Sequence, residues 1–276
     1  MSTTAHAVNR AAPAVPRFHP LRDSATMLRR NLKHMLRYPS MTVTLVGMPI
    51  IFLLLFVYVF GGTLGAGLGG LSGGRAQYVN YVAPAIIVMT VTATVQGTAI
   101  SMAMDLTEGI IARFRTMHIA RASVLTGHVI GSVLQAVFSL TVVIGVALLV
   151  GFRPAAGPGA WLATAGFLLA VTFALVWLAV ALGQVSKSVE TASNILMPLI
   201  LLPFLGSGFV PTDSMPAGLR WFAEYQPFTS IIETLRGLLM DKPIGNNAWI
   251  ALGWCAVVTL GSYVWSKKLF NREDAR

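Results

Sequence analysis

Charge is what this sequence has least of. Charged residues fill 11% of its 276 positions, where soluble domains average about 25%. Acidic residues are the scarcer half, ten against twenty Lys and Arg, while 55% of the chain is hydrophobic. A soluble globule of this length needs more polar side chains to cover its surface, so an ordinary soluble enzyme is excluded. Cysteine is nearly missing too. The single Cys255 rules out an internal disulfide or a cysteine-based metal cluster, and it reads as a small apolar residue in an apolar run. The phosphate-binding spacing G-x-x-x-x-G-K-[ST] is absent from the sequence, so no nucleotide site is expected in this chain.

What is present is long apolar runs. A hydrocarbon core about 30 Å thick takes about 20 helical residues to cross. Six runs meet that length, at about 41–60, 79–104, 128–150, 160–183, 192–210 and 247–266. They predict an all-α membrane protein with six transmembrane helices. Pro198 and Pro203 fall inside the fifth run. A glycine-rich loop is expected over 61–76. About 40 residues precede the first run, too many for the n-region of a cleavable signal, so that run is expected to be a permanent span.

Residues 1–20 carry Pro13, Pro16 and Pro20 and are expected to be disordered. Residues 21–38 place Leu21, Ala25, Leu28, Leu32 and Met35 at helical spacing, with Arg22, Arg29, Arg30, Lys33 and Arg37 opposite. That pattern predicts a basic amphipathic helix in the membrane interface. The transmembrane domain is expected over 39–270, with a short tail at 271–276. The net charge of +10 does not point to nucleic acid, because basic residues gather beside membrane spans. With the N-terminus inside, the inner segments hold fifteen Lys and Arg and the outer segments five. This predicts that both termini lie on the cytoplasmic side.

Two connecting stretches stand out. Between the second and third runs, Asp105 and Glu108 are spaced like a capping box and predict the start of a separate short helix. Its face would carry Ile110, Phe114 and Met117, flanked by Arg113 and Arg115. An aromatic framed by arginines suits a partner protein, and it equally suits lipid headgroups. Between the fifth and sixth runs, Pro216 sits at the start of a short helix over about 215–223. Ser230 and Glu233 form an S-x-x-E box for another over about 231–240. Each is too short to span, so the pair reads as a re-entrant outer hairpin. Glu224, Glu233 and Arg236 would be costly in lipid and are expected to pair with one another or to face water.

Within the spans, Thr90, Thr92, Thr94, Gln96, Thr98 and Ser101 enrich the second. His128, Gly131, Gln135 and Ser139 make one stripe on the third. Such stripes mark helix–helix contacts or a substrate path. The apolar runs hold no chain of carboxylates, which argues against a proton-driven secondary transporter. Three look-alikes fail on context. LSGG at 71–74 lies in a short loop. The stretch GQVSKS at 183–188 lacks the glycine before Lys187. Gly206-Ser207-Gly208 lacks the G-x-S-x-G spacing of a hydrolase elbow.

Three features together resemble one family. They are EGIIARFRTMHIARASVLTGH at 108–128, GQVSKSVETASNI at 183–195 followed by the FVP…MP…QP-x-T…E-x-x-RGLL pattern of 209–239, and the order of elements. The chain is similar to the type-2 ABC exporter permeases, in particular their daunorubicin-resistance subgroup. His118 stands where that family commonly has proline. The resemblance implies a permease without its own ATPase site or bound cofactor, ATP being held by two copies of a separate ATP-binding subunit. It implies a second permease chain, a homodimer in the simplest case, in the lipid bilayer of the cell membrane. A cytoplasmic coupling helix with Glu108, Arg113, Phe114, Arg115 and His118 would dock on the ATPase. The hairpin with Glu224, Glu233 and Arg236 would act as an outer gate, and Gln96, Gln135 and Ser139 would line the pathway or pack helices. An amphipathic drug is the implied cargo, with lipid or glycan as the alternative.

Overall fold

The computed structural model describes residues 39–69, 74–108 and 121–272. Helix α1, Pro39–Leu54, runs into a π-helical turn, Leu55–Phe60, and on into α2, Gly61–Gly69. Then come α3, Arg75–Thr107; α4, Arg121–Val150; and α5, Pro158–Val185. Two short helices follow, α6, Val189–Ile195, and α7, Met197–Leu201. A 3-10 turn at Thr212–Ser214 leads to α8, Ala217–Tyr225; α9, Pro227–Met240; and α10, Asn247–Arg272. No strand occurs among the described residues. The protein is an all-α membrane protein.

Five helical segments are long and apolar enough to cross a bilayer: Val43–Gly67, Arg75–Thr107, Leu125–Val150, Pro158–Val185 and Asn247–Leu269. The expected glycine-rich loop at 61–76 is instead helical over Gly61–Gly69. Backbone groups next to lipid find no water, and a helix satisfies them internally. At Gly65 the missing side chain lets the Gly74 backbone approach closely.

The fifth expected span is a broken one. It runs through α6 and α7 and then through turns over residues 202–209. Pro198 and Pro203 remove two backbone donors, and Gly206 and Gly208 add little helix preference. The segment nevertheless follows α3 for much of its length. Gln96 Nε2 donates to Ser193 Oγ (3.1 Å) at one level, and Tyr78 Oη donates to the Phe209 carbonyl (3.3 Å) at another. Eighteen residues of α3 separate these contacts, about 27 Å at 1.5 Å per residue, close to a hydrocarbon core.

Helix α3 is the centre of the bundle. It packs against α1, α2, α4, α5, α6 and α9. Its most apolar window is 78% buried, against 17% for α10, which lies at the periphery. The threonines explain how so polar a helix can sit inside. Thr90, Thr94 and Thr98 donate to the carbonyls of Ile86, Thr90 and Thr94 one turn back (2.9, 3.0 and 3.0 Å). Their hydroxyls are satisfied within the helix, which leaves small side chains for close packing. Gly183 of α5 comes closest to α3 among the described glycines, beside the Ala99 carbonyl and Met102.

The two ends of the bundle are stitched differently. At one end the turn after α4 is fixed by Arg153 N–H to Asn80 Oδ1 (2.9 Å) and Ala155 N–H to the Leu239 carbonyl (3.0 Å). At the other, Gln184 Nε2 donates to Ser266 Oγ (2.6 Å), and Asp105 meets His128. The expected capping role of Asp105 and Glu108 is corrected here. Helix α3 continues past Asp105 to Thr107, and Glu108 caps its C-terminal end. The expected interfacial helix at 21–38 and the tail at 1–20 lie outside the described residues.

Candidate functional site

The most polar buried assembly sits where α9 meets α3 and the broken segment. Pro84 lies inside α3. A proline there removes one hydrogen bond and loosens the preceding turn. Tyr81 is in that turn, and its carbonyl accepts from Arg236 Nη2 (3.2 Å). The same Nη2 donates to the Ser207 carbonyl (2.9 Å), and Tyr81 Oη donates to that carbonyl as well (2.8 Å). The guanidinium also lies over the Tyr81 ring, 3.9 Å from its centroid. Arg236 Nη1 donates to Glu233 one turn earlier in α9. One arginine therefore bonds two interrupted stretches of backbone and carries its own counter-ion. The Arg236 side chain is 8% exposed and that of Glu233 32%, so the carboxylate is the member that faces outward.

A second clamp lies at the start of α9. Gln226 Nε2 donates to the Leu202 carbonyl (3.0 Å) and to Thr229 Oγ1 (3.3 Å). Thr229 Oγ1 in turn donates to the Ala223 carbonyl. Gly206 packs into this corner, 2.6 Å from Thr229 Oγ1 at the point a Cβ would occupy. Pro227 takes the first position of α9 and Gln226 precedes it as the cap residue. The Ser230–Glu233 capping box expected from sequence is therefore not formed. Ser230 Oγ donates back to the Pro227 carbonyl (2.8 Å), and Glu233 is committed to Arg236.

Glu224 stands apart from this assembly. It accepts from Arg220 Nε (2.7 Å), and Arg220 also reaches Asp213 (2.7 Å). The hydrogen bond to Glu224, with the charges of Glu224 and Asp213, pushes the Arg220 guanidinium above its ordinary pKa. This exposed trio lies on α8 and the turn before it. Trp221 and Tyr225 are two-thirds exposed on the same helix, with ring centroids 5.5 Å apart. Helix α8 thus carries its aromatics outward, and α9 is the buried member of the hairpin.

The pathway or packing candidates separate. Gln96 ties α3 to α6 through Ser193. Ser139 is fully buried in α4, and Gln135 is half-buried. Of the proposed docking residues, Glu108 is exposed at the end of α3. Arg113, Phe114, Arg115 and His118 lie outside the described residues. Sequence reasoning missed Tyr81, Ser207 and Gln226, because carbonyl acceptors leave no residue-type signal. It also missed the Asp105–His128 pair, which a simple rule could have found. An acid ending one apolar run and a histidine opening the next meet when the two helices are antiparallel.

The sequence pattern of the ABC-2 type transporter family matches residues 23–240. The daunorubicin resistance ABC transporter permease protein DrrB1 of Streptomyces coeruleorubidus is 29% identical over 227 residues, covering 78% of this chain and 76% of that one. The probable doxorubicin resistance ABC transporter permease protein DrrC of Mycobacterium tuberculosis is 26% identical over 166 residues, 58% of this chain and 59% of its own length. The family match takes in the 108–120 stretch, the broken span and the hairpin up to Met240. With its multi-pass helical bundle, the chain belongs to the ABC-2 type transporter family.

Proposed function

We propose that this permease moves an amphipathic, drug-like substrate outward across the cell membrane, with both of its termini cytoplasmic. As an ABC-2 permease it works with an ATP-binding subunit. In this reading two such subunits bind two permease chains, a homodimer, and the cargo passes between the chains. Glu108, Arg113, Phe114, Arg115 and His118 form the docking stretch. Glu224, Glu233 and Arg236 belong to the outer gate. The observation that carries the reading is the family match spanning both stretches. The drug cargo is supported by the daunorubicin and doxorubicin resistance for which the relatives are named.

The gate assignment is supported by the polar seam between α9 and the broken segment. Arg236 Nε, Ser207 Oγ and Gln226 Oε1 are buried there without hydrogen-bond partners among the described residues. Unpaired buried polar groups are costly, so a second arrangement that pairs them is open to this seam.

The test uses inside-out vesicles holding this chain and its ATP-binding subunit. ATP-dependent daunorubicin uptake is expected. Arg115→Glu and Phe114→Ala are expected to lower both uptake and co-purification of the ATP-binding subunit. Unchanged co-purification together with unchanged uptake refutes the docking role. Absence of uptake with daunorubicin, alongside ATP-dependent movement of a labelled lipid or glycan, refutes the drug assignment.

A further inference from the structure

At the end of the bundle where α3 stops and α4 starts, Asp105 Oδ2 lies 3.0 Å from His128 Nε2. The side chains are 12% and 8% exposed respectively, the most enclosed contact of a carboxylate with a basic side chain among the described residues. Helix α3 by itself is not favoured by a carboxylate there. Asp105 sits in the last turn, against the negative end of the helix dipole, and it starts no new helix, since α3 runs on to Thr107. A buried pair adds little net stability, and its best-attested use is to fix register. The geometry suits that use. A slide of one residue moves a helix about 1.5 Å and turns its side chain by about 100°, which breaks a bond of this length.

The pair joins the final turn of α3 to a point seven residues into α4. These are the two helix ends between which residues 109–120 run. The Asp105–His128 contact therefore sets the spacing and rotation with which both ends meet that stretch. We infer that Asp105 and His128 are positioning residues that lock α3 and α4 into one register, so that force applied through 109–120 moves the two helices as one body. Because α3 is the central helix and bears the Arg236 seam near its other end, motion of this pair of helices reaches the hairpin directly. The inference rests on the proposed docking of the ATP-binding subunit on that stretch.

The experiment uses the full complex in proteoliposomes and reads ATP hydrolysis and daunorubicin transport on the same samples. Asp105→Asn and His128→Asn are expected to keep the ATP-binding subunit bound and to keep hydrolysis near the parent rate. Transport per ATP is expected to fall roughly twofold to thirtyfold, the range for residues that couple two sites. The swapped pair, Asp105→His with His128→Asp, is expected to recover much of that ratio. An unchanged ratio in both single variants overturns the inference. So does a joint fall of transport, hydrolysis and melting temperature that the swap does not reverse, since a merely structural pair behaves that way. Failure of the parent chain to retain the ATP-binding subunit shows instead that the docking reading is wrong, and removes the basis of this inference with it.

Discussion

A single methyl group at position 183 is expected to do more damage than the same group at position 166 of the same helix. A Cβ on Gly183 would lie 2.8 Å from the Ala99 carbonyl oxygen and 2.8 Å from Met102 Cβ, whereas one on Gly166 meets nothing within 4 Å. Backbone cannot step aside as the tip of a side chain can. Gly183→Ala should cost about 1–3 kcal/mol of overpacking, while Gly166→Ala should gain about 0.5–1 kcal/mol of helix stability. Melting temperatures in detergent check the pair, and equal melting temperatures would contradict the close approach of α5 to α3. Arg236 is the other residue on which much depends. Arg236→Ala strands Glu233, frees the Tyr81 carbonyl and leaves the Ser207 carbonyl to Tyr81 Oη alone, a loss expected at about 3–5 kcal/mol for a broken buried pair. Arg236→Lys should rescue it only in part, because an ammonium cannot serve Glu233 and both carbonyls while stacking on Tyr81. That Arg236 needed a partner was readable from the sequence, because a charge in lipid is costly. The remaining partners were not, since two of them are carbonyls supplied by proline-disturbed backbone far away in the chain.

Among the elements, the long helices were legible because apolar length alone sets them. The errors came where a local rule was trusted over the membrane's penalty on charge. Asp105 with Glu108, and Ser230 with Glu233, both carry the spacing of a capping box. In both cases the acid is drawn to a nitrogen partner instead, the imidazole of His128 across the bundle or the guanidinium of Arg236 one turn on. Glu233→Gln separates the two readings of α9. A capping box accepts Gln as readily as Glu, so that reading expects no change. The ion pair expects a loss of about 1–2 kcal/mol, less than for a fully buried pair because Glu233 is partly exposed and Arg236 keeps its carbonyl partners. Thermal unfolding of the purified variant distinguishes them. The broken span was only half legible. Pro198 and Pro203 announced an interruption, but that the break would be held open by Tyr81, Gln226 and Arg236 follows from packing between elements distant in sequence.

For the whole molecule the proposed orientation is the claim with the widest consequences, because it decides which end of the bundle faces the ATP-binding subunit. Helix α5 offers a clean test of it. Its 28 residues make about 42 Å, more than the full hydrocarbon thickness, so the two flanking turns must open on opposite sides. Gly157 and Lys187 flank it and are both exposed. The chain's single cysteine, Cys255, is buried, so a Cys255→Ser background leaves no competing thiol. Gly157 shares its end with Asn80, Arg153 and the C-terminus of α9, and Lys187 shares its end with Ser266 and the Asp105–His128 pair. The segments read from the sequence as inner carry fifteen Lys and Arg against five for the outer ones, and the proposed orientation therefore sets the second end on the cytoplasmic side. Gly157→Cys should therefore react with a membrane-impermeant maleimide on intact cells, and Lys187→Cys only after permeabilisation. The reverse pattern would turn the molecule over and move the ATP-binding subunit to the hairpin end. Labelling of both from outside would deny that α5 crosses the bilayer, and with it the helical bundle built around α3.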